Sequence, residues 1–275
     1  MKVFSQVLSY VFLLAVPFLV TVSAFTFGHL NYAVYLPGWF VNILFMFFAF
    51  RKLGYEKEPA IRRAVWPLIV SWALISVFAG MGPPPSTAKA WVALALEQQV
   101  RYCILILSGV LTTVGLFRLR ETLTGNSEFR YAQIGKIMIL IALPLFVANM
   151  IYWGFFLTEV FIKYPGQRTL GKPGWIQTVS VSFTVVRLIE VTLIYLGTAA
   201  FAYAIKKSGK LNPTACKIYA LFCILGIILN LLPGNLPEPL ATANYVSYIP
   251  AITLLIPYLM AVNLLKNANN CRPPD

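Results

Sequence analysis

Eight apolar stretches, at residues 7–27, 36–52, 64–82, 101–119, 135–157, 178–204, 214–232 and 243–265, take up more than half of this 275-residue chain. Each is close to the roughly 20 predominantly apolar residues that a helix needs to cross a bilayer. A helix is the form open to them, because backbone polar groups in lipid must be bonded within the segment. The fold class expected is therefore all-α, a polytopic transmembrane bundle of eight helices. The longest connection is about 20 residues, so residues 1–275 are expected to form one membrane domain with no soluble domain beside it.

Charge fits the same reading. Only 11% of residues are charged and 59% are hydrophobic, against about 25% charged in soluble domains. The net charge of +13 invites a nucleic-acid reading, but its distribution follows the positive-inside pattern instead. Arg51, Lys52, Lys57, Arg62 and Arg63 lie between the second and third stretches. Arg118, Arg120, Arg130 and Lys136 flank the fourth connection, and Lys206, Lys207, Lys210 and Lys217 the sixth. The first and seventh connections carry no basic residue, although Lys163, Arg168 and Lys172 in the fifth run against the contrast. Both termini are then expected in the cytoplasm, with the bilayer as the partner of the basic loops. An alternative remains for the N-terminus: Lys2, an apolar run and Val22-Ser23-Ala24 resemble a signal peptide. Removal of residues 1–24 would leave seven helices and an external N-terminus.

Several chemistries find no footing. His29 is the single histidine, and the cysteines (Cys103, Cys216, Cys223 and Cys271) form no C-x-x-C. Cys216 and Cys223 are two helical turns apart, about 10 Å along the axis and too far to bridge. No phosphate-binding loop, dinucleotide fingerprint or G-x-S-x-G is present. No metal and no cofactor is expected. Prolines fall inside several stretches, at Pro17, Pro67, Pro144, Pro250 and Pro257, where they free backbone carbonyls and permit kinks.

The sixth stretch carries the one polar pattern above background. Gln177, Ser180, Thr184, Arg187 and Glu190 follow steps of three and four, which lays them along one side of a helix. Arg187 and Glu190 fall near mid-membrane, where a charge costs about 2.5–3.5 kcal/mol and usually faces the bundle interior. Two readings follow: a polar cavity in which Arg187 meets an anionic group of a ligand, or an internal Arg187–Glu190 pair that locks helices together. Glu97 and Arg101, with Gln98, Tyr102, Ser108 and Thr112, offer a facing wall or a packing surface. Asn149, Tyr152 and Trp153 cluster in the outer half of the fifth stretch, and Asn244, Tyr245 and Tyr248 near the outer end of the last, where amphipathic aromatics also serve as belt residues; Asn230 is a weaker candidate.

The candidate ligand-binding set is Arg187, Glu190, Thr184, Ser180, Arg101, Asn149, Tyr152 and Tyr248, and Glu97 and Glu190 are the candidate acid–base groups. The function expected first is carriage or export of a small amphipathic or anionic molecule. The alternatives are a membrane sensor or interaction protein without transport, and an intramembrane enzyme acting on a lipid or isoprenoid.

Overall fold

A computed structural model describes residues 2–55, 57–164, 173–233 and 236–267. Arg168, Lys172, Cys271 and Arg272 lie outside the described residues. The regular elements are helical: α1 (Lys2–Phe27), α2 (Tyr32–Gly54), α3 (Pro59–Ile75), α4 (Phe78–Met81), α5 (Ala88–Ala93), α6 (Ala95–Glu121) and α7 (Asn126–Ile151). A π-helical turn (Tyr152–Phe156) joins α7 to α8 (Leu157–Lys163). Then follow α9 (Gly174–Lys207), α10 (Pro213–Leu231), α11 (Leu240–Ser247), α12 (Pro250–Thr253) and α13 (Leu255–Asn267). Among the described residues seven helices are long and apolar enough to cross a membrane, and eight if the bent last segment counts as one span. The chain is a multi-pass integral membrane protein.

The helices begin where the local chemistry starts them. Asn31 and Asn212 accept from the amides of Ala33 and Thr214 at the starts of α2 and α10. Pro59 and Pro213 occupy first-turn positions, where no donor is needed.

The last span departs from the single helix expected over 243–265. Ile249 is extended (φ −61°, ψ 123°), as a residue before proline prefers, and Pro250 opens a new helix. Pro257 has no N–H to give the Thr253 carbonyl, and the chain breaks again at Leu254. The two halves, Leu240–Ser247 and Pro250–Lys266, meet at 69°.

Packing is centred on α3 and α13. Trp72 and Tyr258 are fully buried against each other, ring centroids 5.6 Å apart. The Trp72 indole donates to the Leu254 carbonyl at the second break (3.1 Å), and the Tyr195 hydroxyl to that of Ser247 at the first (2.7 Å). Small residues let backbones approach, as packing in lipid favours. A Cβ on Gly135 would stand 2.9 Å from the Gly197 carbonyl where α7 crosses α9, and one on Gly115 would stand 2.6 Å from Leu68. Between α3 and α6, Ser71 and Ser108 each donate to the other's carbonyl, at 3.0 and 3.2 Å.

Two prolines act through the carbonyls they free. In a regular helix residue 17 would donate to Leu13 and residue 67 to Arg63, and neither proline can. The Tyr258 hydroxyl takes the Leu13 carbonyl at 2.6 Å, and Arg118 reaches that of Arg63 at 3.4 Å. Each proline thus frees a carbonyl, of Leu13 or Arg63, to accept from another helix.

The basic connections gather at one end of the bundle. Arg118 reaches Arg63, Lys210 pairs with Glu58 (3.9 Å), Lys57 donates to the Lys266 carbonyl (3.5 Å), and Lys266 lies over the Tyr10 ring (4.3 Å). The start of α1 and the end of α13 share that end. At the opposite end Leu30 donates to the Gly80 carbonyl, and Gly82, at φ 63°, approaches the Gly28 backbone too closely for a side chain.

Candidate functional site

The sixth span is longer than the bilayer requires. At 34 residues α9 extends about 51 Å at 1.5 Å per residue, well past the ~30 Å hydrocarbon core. Most of its first half is exposed, with Ile176 buried. Gln177, Ser180 and Thr184 are exposed there, and the Thr184 hydroxyl donates to its own helix at the Ser180 carbonyl (3.0 Å). The upper stripe therefore does not line the bundle interior. Trp175 meets the Phe156 ring edge to face at 6.0 Å, and Phe183 stacks on the buried Tyr152 with ring centroids 4.3 Å apart and planes 8° from parallel.

Below that stack the two charged groups separate. The Arg187 guanidinium lies over the Tyr248 ring, 3.7 Å from its centroid, and its Nε is buried without a hydrogen-bond partner. Glu190, only 2% exposed, accepts from the Asn149 amide on α7 at 2.7 Å; Asn149 is itself 3% exposed. The ion pairs among the described residues join His29 to Glu97, Glu97 to Arg101 and Glu58 to Lys210. The expected Arg187–Glu190 pair is not formed. A three-residue step turns a helix through about 300°, so the two side chains point 60° apart, and each meets a different neighbour: Arg187 the break in the last span, Glu190 the middle of α7.

The fourth-span candidates serve other ends. Arg101, 4% exposed, donates from Nη1 to the Gly82 carbonyl (2.8 Å) and from Nη2 to that of Met81 (3.0 Å), and lies over the Phe78 ring. It closes the end of α4 and has little left for a ligand. Glu97 stands between His29 (2.6 Å) and Arg101 (3.8 Å); with both oxygens drawn toward basic groups it is poorly placed as an acid or base. Ser108 and Thr112 face Ser71 of α3. Asn230 spans to the Leu188 carbonyl and the Thr192 hydroxyl, and Asn244 to the carbonyls of Leu229 and Leu232.

The structure thus brings together Arg187, Tyr248, Glu190, Asn149 and Tyr152, and sets Ser180, Thr184 and Arg101 apart from them. One feature at this depth escapes sequence reasoning, the π turn next to Asn149. There the Leu157 amide reaches back to the Tyr152 carbonyl, while Thr158 donates to the Gly154 carbonyl and accepts from the Trp91 indole. Such turns are frequent at functional sites. Gln98, of the fourth-span wall, is fully buried with neither amide atom bonded. Among the described residues no group of three or more His, Cys, Asp or Glu side chains is placed to hold a metal ion.

Comparison with protein-family models, with curated proteins and with solved structures finds no match to this chain.

Proposed function

We propose that this protein carries a small amphipathic anion across the bilayer, with Arg187 as the group that reads the anion and the basic end of the bundle in the cytoplasm. One observation carries the reading. Arg187 is half-buried at the first break of the last span, with an aromatic face beneath its guanidinium and no acceptor bonded to it. A cation so placed has unused donors pointing where an anionic group is the natural complement. Broken spans are also where carriers commonly place their binding sites. Tyr248, Tyr152 and Phe183 supply apolar surface for the remainder of such a molecule. Glu190 and Asn149 hold α9 to α7 while α11 moves at its break.

The probe is octyl phosphate, with uncharged octanol as the control. Affinity is read from the rise in thermal stability of the purified protein, and carriage from uptake of radiolabelled octyl phosphate into proteoliposomes. Arg187→Gln lowers both by about tenfold or more, the worth of a hydrogen bond to a charged group, while stability without ligand is little changed. Equal octyl phosphate affinity in Arg187→Gln, or octanol bound as well as the phosphate, refutes the reading. Binding without uptake assigns the site to a sensor, the reading that the gathered basic loops also favour. The enzymatic alternative has the least support, since Glu97 and Glu190 are both engaged by neighbours.

A further inference from the structure

A groove of about 810 Å3 runs between α1 and α2 toward the end where the basic loops gather. Phe12, Phe45 and Phe48 form its wall, and Phe12 and Phe45 meet edge to face at 6.1 Å. Arg51 and Lys52 stand at its rim, both exposed, and neither has a hydrogen bond, ion pair or ring contact with the described residues. Among the described residues that line it, none is acidic. The groove does not involve α9, so it is separate from the Arg187 site.

We infer that this groove seats an anionic phospholipid from the leaflet at the basic end, its phosphate at Arg51 and Lys52 and one acyl chain along Phe12, Phe45 and Phe48. Three arguments select that occupant. The walls are apolar and face the bilayer, so water gains little by filling them. The cations are confined to the mouth, the arrangement that long basic side chains adopt at a membrane interface. Two cations with no ion pair among the described residues favour a phosphate over a zwitterionic partner surface. Gln6 and Tyr55, at the same rim, can donate to headgroup oxygens.

Any cation near an anionic leaflet attracts it, so the test separates shape from charge. The full chain is purified from bilayers of phosphatidylglycerol and phosphatidylcholine, and retained lipid is measured by native mass spectrometry. Three variants accompany the wild type. Arg51→Gln with Lys52→Gln removes the mouth. Ser9→Phe fills the groove with the charges intact. Lys206→Gln with Lys207→Gln removes two cations of the same end that do not line the groove. The wild type and the Lys206/Lys207 variant retain one phosphatidylglycerol in preference to phosphatidylcholine. The Arg51/Lys52 variant loses it by about tenfold or more, in line with two charges near the surface, and Ser9→Phe loses it equally. Equal retention in all four proteins overturns the inference. So does an equal loss in the Lys206/Lys207 variant, which assigns the effect to general attraction. A dimer that Ser9→Phe dissociates, with no lipid retained, also overturns it and makes a second copy the occupant.

Discussion

Tyr258→Phe removes one hydroxyl and leaves the ring packed on Trp72, so its cost isolates the bond to the Leu13 carbonyl. Leu13 and Tyr258 are both fully buried and the bond is 2.6 Å long. A buried acceptor left without a partner costs about 1–3 kcal/mol. Interhelical hydrogen bonds in membranes nonetheless average only ~0.6 kcal/mol and reach ~1.7, because the separated helix finds substitutes. Which figure applies depends on whether α1 can satisfy Leu13 by itself. It cannot, since the residue four positions on is Pro17. We expect Tyr258→Phe to destabilise by about 1.5 kcal/mol, near the top of the membrane range. Pro17→Ala restores the missing N–H, and in that background the same change should cost about 0.5 kcal/mol. The coupling of about 1 kcal/mol is measured by a double-mutant cycle on reversible unfolding in mixed micelles. Equal costs in the two backgrounds, within about 0.3 kcal/mol, refute the idea that the proline is what makes Tyr258 necessary.

Two further outcomes use the same assay. Asn149→Ala leaves the buried Glu190 carboxyl without its donor and destabilises by about 2 kcal/mol; Asn149→Asp costs more, by setting two carboxyls against each other, and Glu190→Gln relieves it. If Glu190→Gln gives no relief, the bond between α7 and α9 is not as described. Gly135→Val drives a side chain into the Gly197 carbonyl and the Phe201 ring and costs about 1–3 kcal/mol, whereas Gly38→Ala, with open space around it, leaves stability unchanged or slightly raised; equal effects of the two would contradict the close crossing of α7 and α9.

Much of the fold was legible in the chain, and particular residues show where legibility ended. Seven spans appear where hydropathy puts them, and an eighth if the bent last segment counts as one; some ends move outward, so that the fourth runs 95–121 and not 101–119, and the fifth continues to Lys163. Polar and aromatic end residues extend a helix into the interface without adding to an apolar window. Pro250 and Pro257 announced irregularity in the last span, and the chain does break there. The π turn gave no such notice, because nothing in Tyr152-Trp-Gly-Phe-Phe departs from a helical apolar run. Arg187 and Glu190 were recognisable as unusual for their depth. Their partners were not, since Tyr248 and Asn149 come from spans distant in sequence.

The number of crossings and the segregation of charge are properties that each stretch possesses alone, through the free energy of moving it from water to lipid. Which helices touch is a different matter. Lipid is as apolar as a leucine side chain, so an apolar face gains little by choosing protein over bilayer. The choice is left to close approach at Gly135 and Gly197, and to bonds such as Tyr258 to Leu13 and Asn149 to Glu190. Those exist only once the spans have assembled. For that reason the chain by itself determined a multi-pass helical protein, and only the tertiary structure decided that Arg101 closes a turn while Arg187 is left with unused donors.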